Sequence, residues 1–125
     1  MRIFKNKWFA KFAFKEGMSD ETLCQAVRDI EAGKIDVDLG GGVIKQRIAR
    51  SGQGKSAGYR AIILYRHGDK AFFVYGFAKN VQENISEGEE KWFKDLASET
   101  FAFSDEKIAK LLETGAYKEV YDEQE

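Results

Sequence analysis

Basic side chains are concentrated in a central stretch of the chain whose sequence is typical of β-strands. They include Lys45, Arg47, Lys55, Arg60 and Lys79, with Tyr59 and Tyr75 nearby in sequence and Asn80 directly after Lys79. Lysine and arginine bind phosphates, and an arginine can stabilise the charge that develops during phosphoryl transfer. A tyrosine can stack on a base or assist proton transfer. This chemistry suffices for cleaving RNA, which brings its own 2′-hydroxyl nucleophile, but many nucleic-acid-binding sheets carry a similar set.

The charge of the chain is distributed unevenly along its length. Residues 1–39 contain 7 basic and 7 acidic residues, residues 40–80 contain 8 and 1, and residues 81–125 contain 5 and 13. The net charge of −1 therefore conceals a strongly cationic segment beside an anionic one. A cationic segment attracts phosphate-bearing partners in a salt-dependent way. A solvated sheet face next to an acidic tail would explain the charge asymmetry equally well.

Other kinds of site have little support in the sequence. Gly54-Lys55-Ser56 resembles the end of a P-loop, but Ala49 occupies the position of the first glycine, and β-rich sequence follows where a helix is required. His67 is the single histidine and Cys24 the single cysteine. The sequence therefore predicts no metal site, no cofactor and no histidine-activated nucleophile. We expect His67 to be a solvated turn residue and Cys24 to pack as a small apolar side chain.

Hydrophobic periodicity predicts one α+β domain over residues 1–125. The expected order is a strand, two helices, a three-strand antiparallel meander and additional C-terminal helices, with residues 102–125 as a helical acidic extension. The aromatic stripe that includes Trp8 is interpreted as core. The expected boundaries are a strand at 2–5, helices ending at Gly17 and Gly33, strands at 43–50, 59–66 and 71–77, and helices beginning at Ser86 and Ser104.

Strand alternation places the basic residues relative to one another. Lys45 and Arg47 share one face of their strand, with side chains about 7 Å apart, a spacing suited to neighbouring phosphates. Arg60 has the same strand parity as Ile62 and Leu64. The same parity is compatible with a purely structural role, in which Arg60 only satisfies a buried carbonyl or pairs with an acidic residue of the C-terminal part.

The N-terminal sequence from Met1 to Trp8 alternates charged and aromatic residues and lacks the apolar run of a secretory signal. No segment approaches the ~20 apolar residues needed to span a bilayer. We therefore expect a soluble, cytoplasmic protein with no membrane partner.

Four sequence elements together resemble the RelE toxins of bacterial type II toxin–antitoxin systems, especially the longer subfamily close to HigB-type toxins. The elements are Ala32-Gly33 with Asp38 to Gly42, Val43 to Arg47, Gly54 to Arg60, and Phe72 to Asn80 with Asn84-Ile85. The resemblance implies a RelE-like sheet flanked by helices. It also implies cleavage of mRNA, usually on the ribosome, and inhibition by a cognate antitoxin.

The resemblance also implies roles for individual residues. It assigns Arg60 to transition-state stabilisation and Lys79 to proton donation or phosphate contact. The residues expected to hold the RNA are Lys45, Arg47, Lys55, Tyr59, Tyr75 and Asn80, with Lys55 also close to the chemistry and Tyr75 stacking on a base. Two departures from the family pattern are Ala57, where a second glycine is expected, and acidic helices in place of a terminal strand bearing a basic residue and a tyrosine.

Two alternatives to an endoribonuclease remain open at this point. One is a non-catalytic growth inhibitor that binds a protein target, as the related ParE toxins poison gyrase. The other is an inactive relative that binds nucleic acid or antitoxin. The antitoxin is expected to be a separate chain, with a helix-turn-helix of its own, that covers the basic sheet or blocks access to the ribosome.

Overall fold

The computed structural model describes residues 1–50, 54–79, 82 and 84–121, with the backbone alone of Arg50 and of residues 54–57. Strands and helices follow one another in the order β1 (Arg2–Asn6), α1 (Lys7–Glu16), α2 (Asp20–Glu31), β2 (Val37–Gly40), β3 (Val43–Arg50), β4 (Gly54–Arg66), β5 (Lys70–Ala78), α3 (Glu87–Phe101), α4 (Asp105–Glu113) and β6 (Tyr117–Val120). Within these ranges, no helix is both long and apolar enough to cross a membrane.

The strands form a single sheet in the order β2-β3-β4-β5-β1-β6. Neighbouring strands are antiparallel except for β1 and β5, which are parallel. The predicted meander is β3, β4 and β5, and its last two strands meet at a turn that contains Gly68. The α+β fold class with a mainly antiparallel sheet is confirmed.

Helices cover both faces of the sheet and divide the core in two. On the first face, α1 and α2 bury Phe9, Leu23 and Val27 against sheet residues such as Phe73. On the second face, the buried residues of α3 and α4 are Phe93, Ala97 and Ile108, and they belong to the same cluster as Phe4, Ile62, Leu64 and Phe72. Alternation along each strand assigns successive side chains to the two faces.

Local sequence signals account for the helix boundaries. Asn6, Ser19 and Ser104 each accept a hydrogen bond from the backbone N–H three residues later, which satisfies a donor that the first turn leaves free. Ser86 and Glu89 form a reciprocal capping box at the start of α3. Gly17 ends α1 with φ of 71°, a left-handed conformation that favours glycine.

The C-terminal region differs from the prediction of a helical extension over 102–125. After α4 the chain forms β6, an edge strand that pairs with β1. The expectation that a terminal strand is absent was therefore wrong, since β6 contains Tyr117 and Lys118. In the sheet order, β6 is separated from β4 by β1 and β5, which keeps its side chains away from the central basic residues.

Candidate functional site

Three basic residues predicted from the sequence lie on the second face of the sheet, in adjacent strands. Arg47 of β3 is the direct cross-strand partner of Arg60 of β4, and Lys45 lies two residues before Arg47. Lys45 pairs with Ile62, which belongs to the second core cluster, and strand alternation gives Arg47 and Arg60 the same side. We call Lys45, Arg47 and Arg60 the basic face.

The pairing of Arg47 with Arg60 places two positive charges directly opposite each other. Side chains at such positions have Cβ atoms about 4.5–5.5 Å apart, and like charges there destabilise a sheet. Asp36 offsets part of this repulsion, because its Oδ1 lies 2.9 Å from Arg47 Nε. Two guanidinium groups at one register position can both contact the same phosphate. The Asp36 contact was not predicted from the sequence.

Arg60 is much less accessible than a surface arginine, with only 7% of its surface exposed. Its Nη1 donates to the carbonyl oxygen of Tyr59 at 3.3 Å. This contact agrees with the alternative that Arg60 satisfies a buried carbonyl. A guanidinium carries five N–H donors, so the carbonyl contact accounts for only one of them.

Lys45 is connected to Tyr75 by a chain of side-chain hydrogen bonds through the segment that follows β5. Lys45 Nζ donates to Asn84 Oδ1 at 3.1 Å, and Gln82 Nε2 donates to the carbonyl oxygen of Asn84 at 2.7 Å. The Tyr75 hydroxyl donates to Gln82 Oε1 at 3.0 Å. Gln82 was missed in the sequence, because a single glutamine beyond a strand carries no recognisable signal.

Tyr75 is already packed against other rings. Trp8 stacks on it with ring centroids 4.7 Å apart, and Phe93 lies 5.8 Å away at an interplanar angle of 34°. Burial, and to a lesser degree the charge of Glu89, raises the pKa of the Tyr75 hydroxyl above its ordinary value. The hydroxyl is therefore a hydrogen-bond donor at neutral pH. For Tyr75 to stack on a base at the face that Trp8 covers, Trp8 would have to move.

Tyr59 does not lie with the basic face. It is 3% exposed and belongs to the core cluster on the first face, where Phe12 contacts its ring edge-on at 5.9 Å. The strand alternation that puts Arg60 on the second face puts its neighbour Tyr59 on the first. In this conformation the Tyr59 ring is buried on the side of the sheet opposite the basic face, so an RNA on the basic face would not contact it.

The remaining predicted residues lie near the end of β5 or at the start of β4. Lys79 is exposed, and its backbone N–H donates to the carbonyl oxygen of Gly58 at 3.3 Å. It follows two residues after Phe77, the cross-strand partner of Arg60. Lys55 lies in β4, where only the backbone is described, and Asn80 lies outside the described residues.

His67 and Cys24 have the surroundings expected of structural residues. His67 is exposed in the β4–β5 turn, with Nδ1 2.9 Å from the Tyr65 hydroxyl, and Cys24 is buried in α2. Across the described ranges, no group of three or more histidine, cysteine, aspartate or glutamate residues is placed to hold a metal ion. Gly54 and Ser56 lie at the beginning of a strand, which agrees with the rejection of a P-loop.

The fold and the basic face together define a class: a small α+β domain with a mainly antiparallel sheet between two layers of helices and a cluster of basic residues on that sheet. Residues 1–120 match the family model described as the RelE toxin of the RelE/RelB toxin–antitoxin system, and the chain belongs to that family. No curated protein and no solved structure matches it significantly. The protein is thus a toxin of a toxin–antitoxin pair, and family membership implies a cognate antitoxin.

Proposed function

We propose that the protein is a metal-independent mRNA endoribonuclease that cleaves translated transcripts on the ribosome. The observation that carries the proposal is the registered pairing of Arg47 with Arg60, beside Lys45, on one face of the sheet. Side chains at such positions lie close together, and two arginines can form charge-assisted hydrogen bonds to phosphate oxygens. The phosphates in this proposal are those of the RNA backbone.

The proposed reaction is a transesterification within the RNA. The 2′-oxygen attacks the adjacent phosphorus, the bond from phosphorus to the 5′-oxygen breaks, and the products carry a 2′,3′-cyclic phosphate and a 5′-hydroxyl. Negative charge increases on the non-bridging oxygens in the transition state, and Arg60 would stabilise it there. The 2′-hydroxyl loses its proton to solvent, and Lys79 would donate the proton that the leaving 5′-oxygen takes up.

Lys45 and Arg47 would hold the phosphates on either side of the cleaved bond. Lys45 has three N–H donors and uses one for Asn84, which leaves donors for a phosphate oxygen. Arg47 keeps 49% of its side chain exposed despite its contact with Asp36. We assign Lys55 and Asn80 to further RNA contacts, in line with the family resemblance.

The partner and location of the protein follow from the same proposal. Messenger RNA on the ribosome is cytoplasmic, so the toxin acts there. We propose that the antitoxin is a small chain with a helix-turn-helix that covers the basic face or keeps the toxin from the ribosome. A complex that leaves Lys45, Arg47 and Arg60 uncovered and still binds the ribosome would contradict this mode of inhibition.

The test is primer extension on cellular mRNA a few minutes after toxin induction, with wild type, Arg60→Ala, Arg60→Lys and Lys45→Ala at matched soluble protein levels. Wild type should produce new 5′ ends within translated codons. Both alanine variants should lose them, and Arg60→Lys should retain only a part, because lysine keeps the charge without the planar pair of donors.

Lys118→Ala is the matched control, since Lys118 is an exposed lysine on β6, far from the basic face in the strand order. It should cut like the wild type. Undiminished cleavage by the Lys45→Ala/Arg60→Ala double variant would refute the proposed site. Growth arrest with intact transcripts would refute the endoribonuclease and redirect the search to a protein target.

A further inference from the structure

Trp8 is not a core residue, contrary to the interpretation of its stripe from the sequence. It is the second residue of α1 and is 45% exposed, whereas Phe9 and Ala13 of the same helix are buried. Its indole stacks on Tyr75 at 4.7 Å and on Phe12 at 5.4 Å with an interplanar angle of 14°. The indole is therefore held in place by two rings while a large part of it faces solvent.

Trp8 lies at the end of a row of residues that crosses the sheet from the basic face. Lys45, Ile62 and Tyr75 are successive cross-strand partners on β3, β4 and β5. With strands about 4.8 Å apart, Lys45 and Tyr75 are separated by roughly 10 Å in the backbone. Because Trp8 stacks on Tyr75, its exposed indole lies close enough to Lys45 for one short RNA segment to contact both residues.

The hydrogen bonds described above fix this row. Tyr75 is hydrogen-bonded to Gln82, Gln82 to Asn84, and Asn84 to Lys45. Tyr75 itself is covered by Trp8, so the aromatic surface open to a ligand at this end of the row is the indole. A preorganised ring costs little side-chain entropy when it binds a partner.

The geometry points to Trp8 as a base-stacking residue for single-stranded RNA, next to the phosphate that Lys45 holds. This inference rests on the proposed function and adds a subsite to it. Every base has a π-face, so such a contact secures the strand without selecting its sequence. The base would contact the part of the indole that Tyr75 and Phe12 leave exposed.

Other exposed aromatic residues have different surroundings. Phe14 is 90% exposed, but it borders a cavity lined by α1 and by Gly115 and Lys118 at the β6 edge. Trp92 is 59% exposed on α3 and contacts Phe93. Neither belongs to the Lys45–Ile62–Tyr75 row, and both serve as controls.

The experiment uses a short, fluorescently labelled RNA oligonucleotide with 2′-O-methyl groups throughout, which blocks the attacking oxygen. The chain has 2 tryptophans, so Trp92→Phe leaves Trp8 as the single indole and Trp8→Phe leaves Trp92. Anisotropy of the label measures binding, and tryptophan emission in a matching unlabelled titration reports stacking. In the Trp92→Phe protein, emission should fall with the same apparent Kd that anisotropy gives.

Trp8→Ala should weaken binding about 5- to 150-fold, the range for loss of one base–aromatic stack. Trp8→Phe should restore most of the affinity, and Phe14→Ala should stay within about twofold of the wild type. Urea unfolding of each variant verifies that the fold is retained, and Trp8→Phe keeps the ring that packs on Tyr75.

Failure of the inference is distinguishable from failure of the proposed function. Binding by Trp92→Phe without a change in emission, or wild-type affinity in Trp8→Ala, overturns the stacking role and leaves the endoribonuclease intact. Quenching that occurs only in the Trp8→Phe protein, which retains Trp92, would place the subsite on α3. That result would also overturn the stacking role of Trp8. If the wild type neither binds the oligonucleotide nor cuts mRNA, both proposals are wrong.

Discussion

Gly76 of β5 lies directly against two aromatic side chains of helix α1. A Cβ at this position would lie 2.6 Å from Phe12 Cε2 and 3.1 Å from Phe9 Cε2. Both rings are packed against other aromatic side chains and have little room to move. We expect Gly76→Ala to lower the free energy of unfolding by about 1–3 kcal/mol through overpacking, measured by urea denaturation.

Gly88 provides the matched control for that substitution. It lies in the first turn of α3, and the nearest atom to an added Cβ is Ser86 Oγ at 3.9 Å. Gly88→Ala should therefore be neutral or stabilise the protein by up to about 1 kcal/mol. Equal stability of Gly76→Ala and wild type would mean that the α1 side chains do not pack as closely against β5 as described.

At the residue scale, strand alternation predicted that Lys45 and Arg47 share a face, whereas the register that places Arg47 opposite Arg60 was not predicted. Lys45 and Arg47 are two residues apart, and the parity of Arg60 with Ile62 is confirmed by the pairing. The same alternation, applied to Tyr59, would have placed it in the opposite core. The exposure of Trp8 could not be predicted, because it depends on where α1 meets β5.

At the element scale, the capping box at the start of α3 makes a testable contribution. Ser86 Oγ accepts from Glu89 N–H at 3.1 Å, and Glu89 Oε1 accepts from Ser86 N–H at 2.9 Å. Ser86→Ala removes the first bond and should cost about 0.5–2 kcal/mol of unfolding free energy, measured by urea denaturation. Ser86→Asp, which can still accept from the backbone, should recover most of it.

Ser98 is the control on the same helix, since it is exposed and lies at the opposite end of α3 from the Ser86 cap. Ser98→Ala should change the stability by less than about 0.5 kcal/mol. A loss in Ser98→Ala as large as that in Ser86→Ala would show that capping does not account for the effect, since alanine has the higher helix propensity. Because α3 holds Phe93 against Tyr75, its stability also bears on the site.

Helices and long strands were predicted well from the sequence, whereas the edge strands were not. The helix caps at Ser19, Ser86 and Ser104 depend only on neighbouring residues, so the sequence predicted where these helices begin. β2 and β6 have four residues each, and in the two strands together only Val120 is buried, so they lack a recognisable apolar pattern. The parallel pairing of β1 with β5 joins residues almost 70 positions apart, and no local signal encodes it.

At the scale of the whole molecule, partly buried tyrosines make stability depend on alkaline pH. Burial, the largest cause, raises the pKa of Tyr117 above its ordinary value of 10.0, and Glu99 raises it further. Above about pH 10 the unfolded chain therefore loses this proton before the folded chain does. The stability that the neutral phenol provides is complete below pH 10 and is lost as the pH rises through the folded-state pKa.

Urea midpoints at about pH 8 and about pH 10.5 measure this dependence. Phenylalanine keeps the ring contact with Phe72 and does not titrate, so Tyr117→Phe should lose less stability over this interval than the wild type. Tyr121→Phe is the control, because Tyr121 is 71% exposed. The same alkaline loss in all three proteins would exclude Tyr117 as its source.

The division of charge across the molecule predicts how RNA binding responds to salt. The net charge is −1, so the molecule as a whole does not attract a polyanion, and binding must depend on the local charge of the basic face. For a single strand, log K falls by about 0.7 per log unit of salt for each phosphate contact. Contacts from Lys45, Arg47 and Arg60 therefore predict a slope near −2. Lys45→Ala should reduce its magnitude by about 0.7, as measured by anisotropy of the 2′-O-methyl oligonucleotide over a potassium chloride series.

Lys118→Ala removes the same charge from β6 and should leave the slope unchanged, although it alters the net charge equally. An equal reduction in both variants would mean that the RNA responds to the total charge of the protein and not to a site. A reduction confined to Lys45→Ala would instead place a phosphate at β3, beside the opposed arginines. The acidic residues of α3 and α4, helices on the same side of the sheet, would then restrict where the RNA runs, because they repel the strand wherever it leaves the basic face.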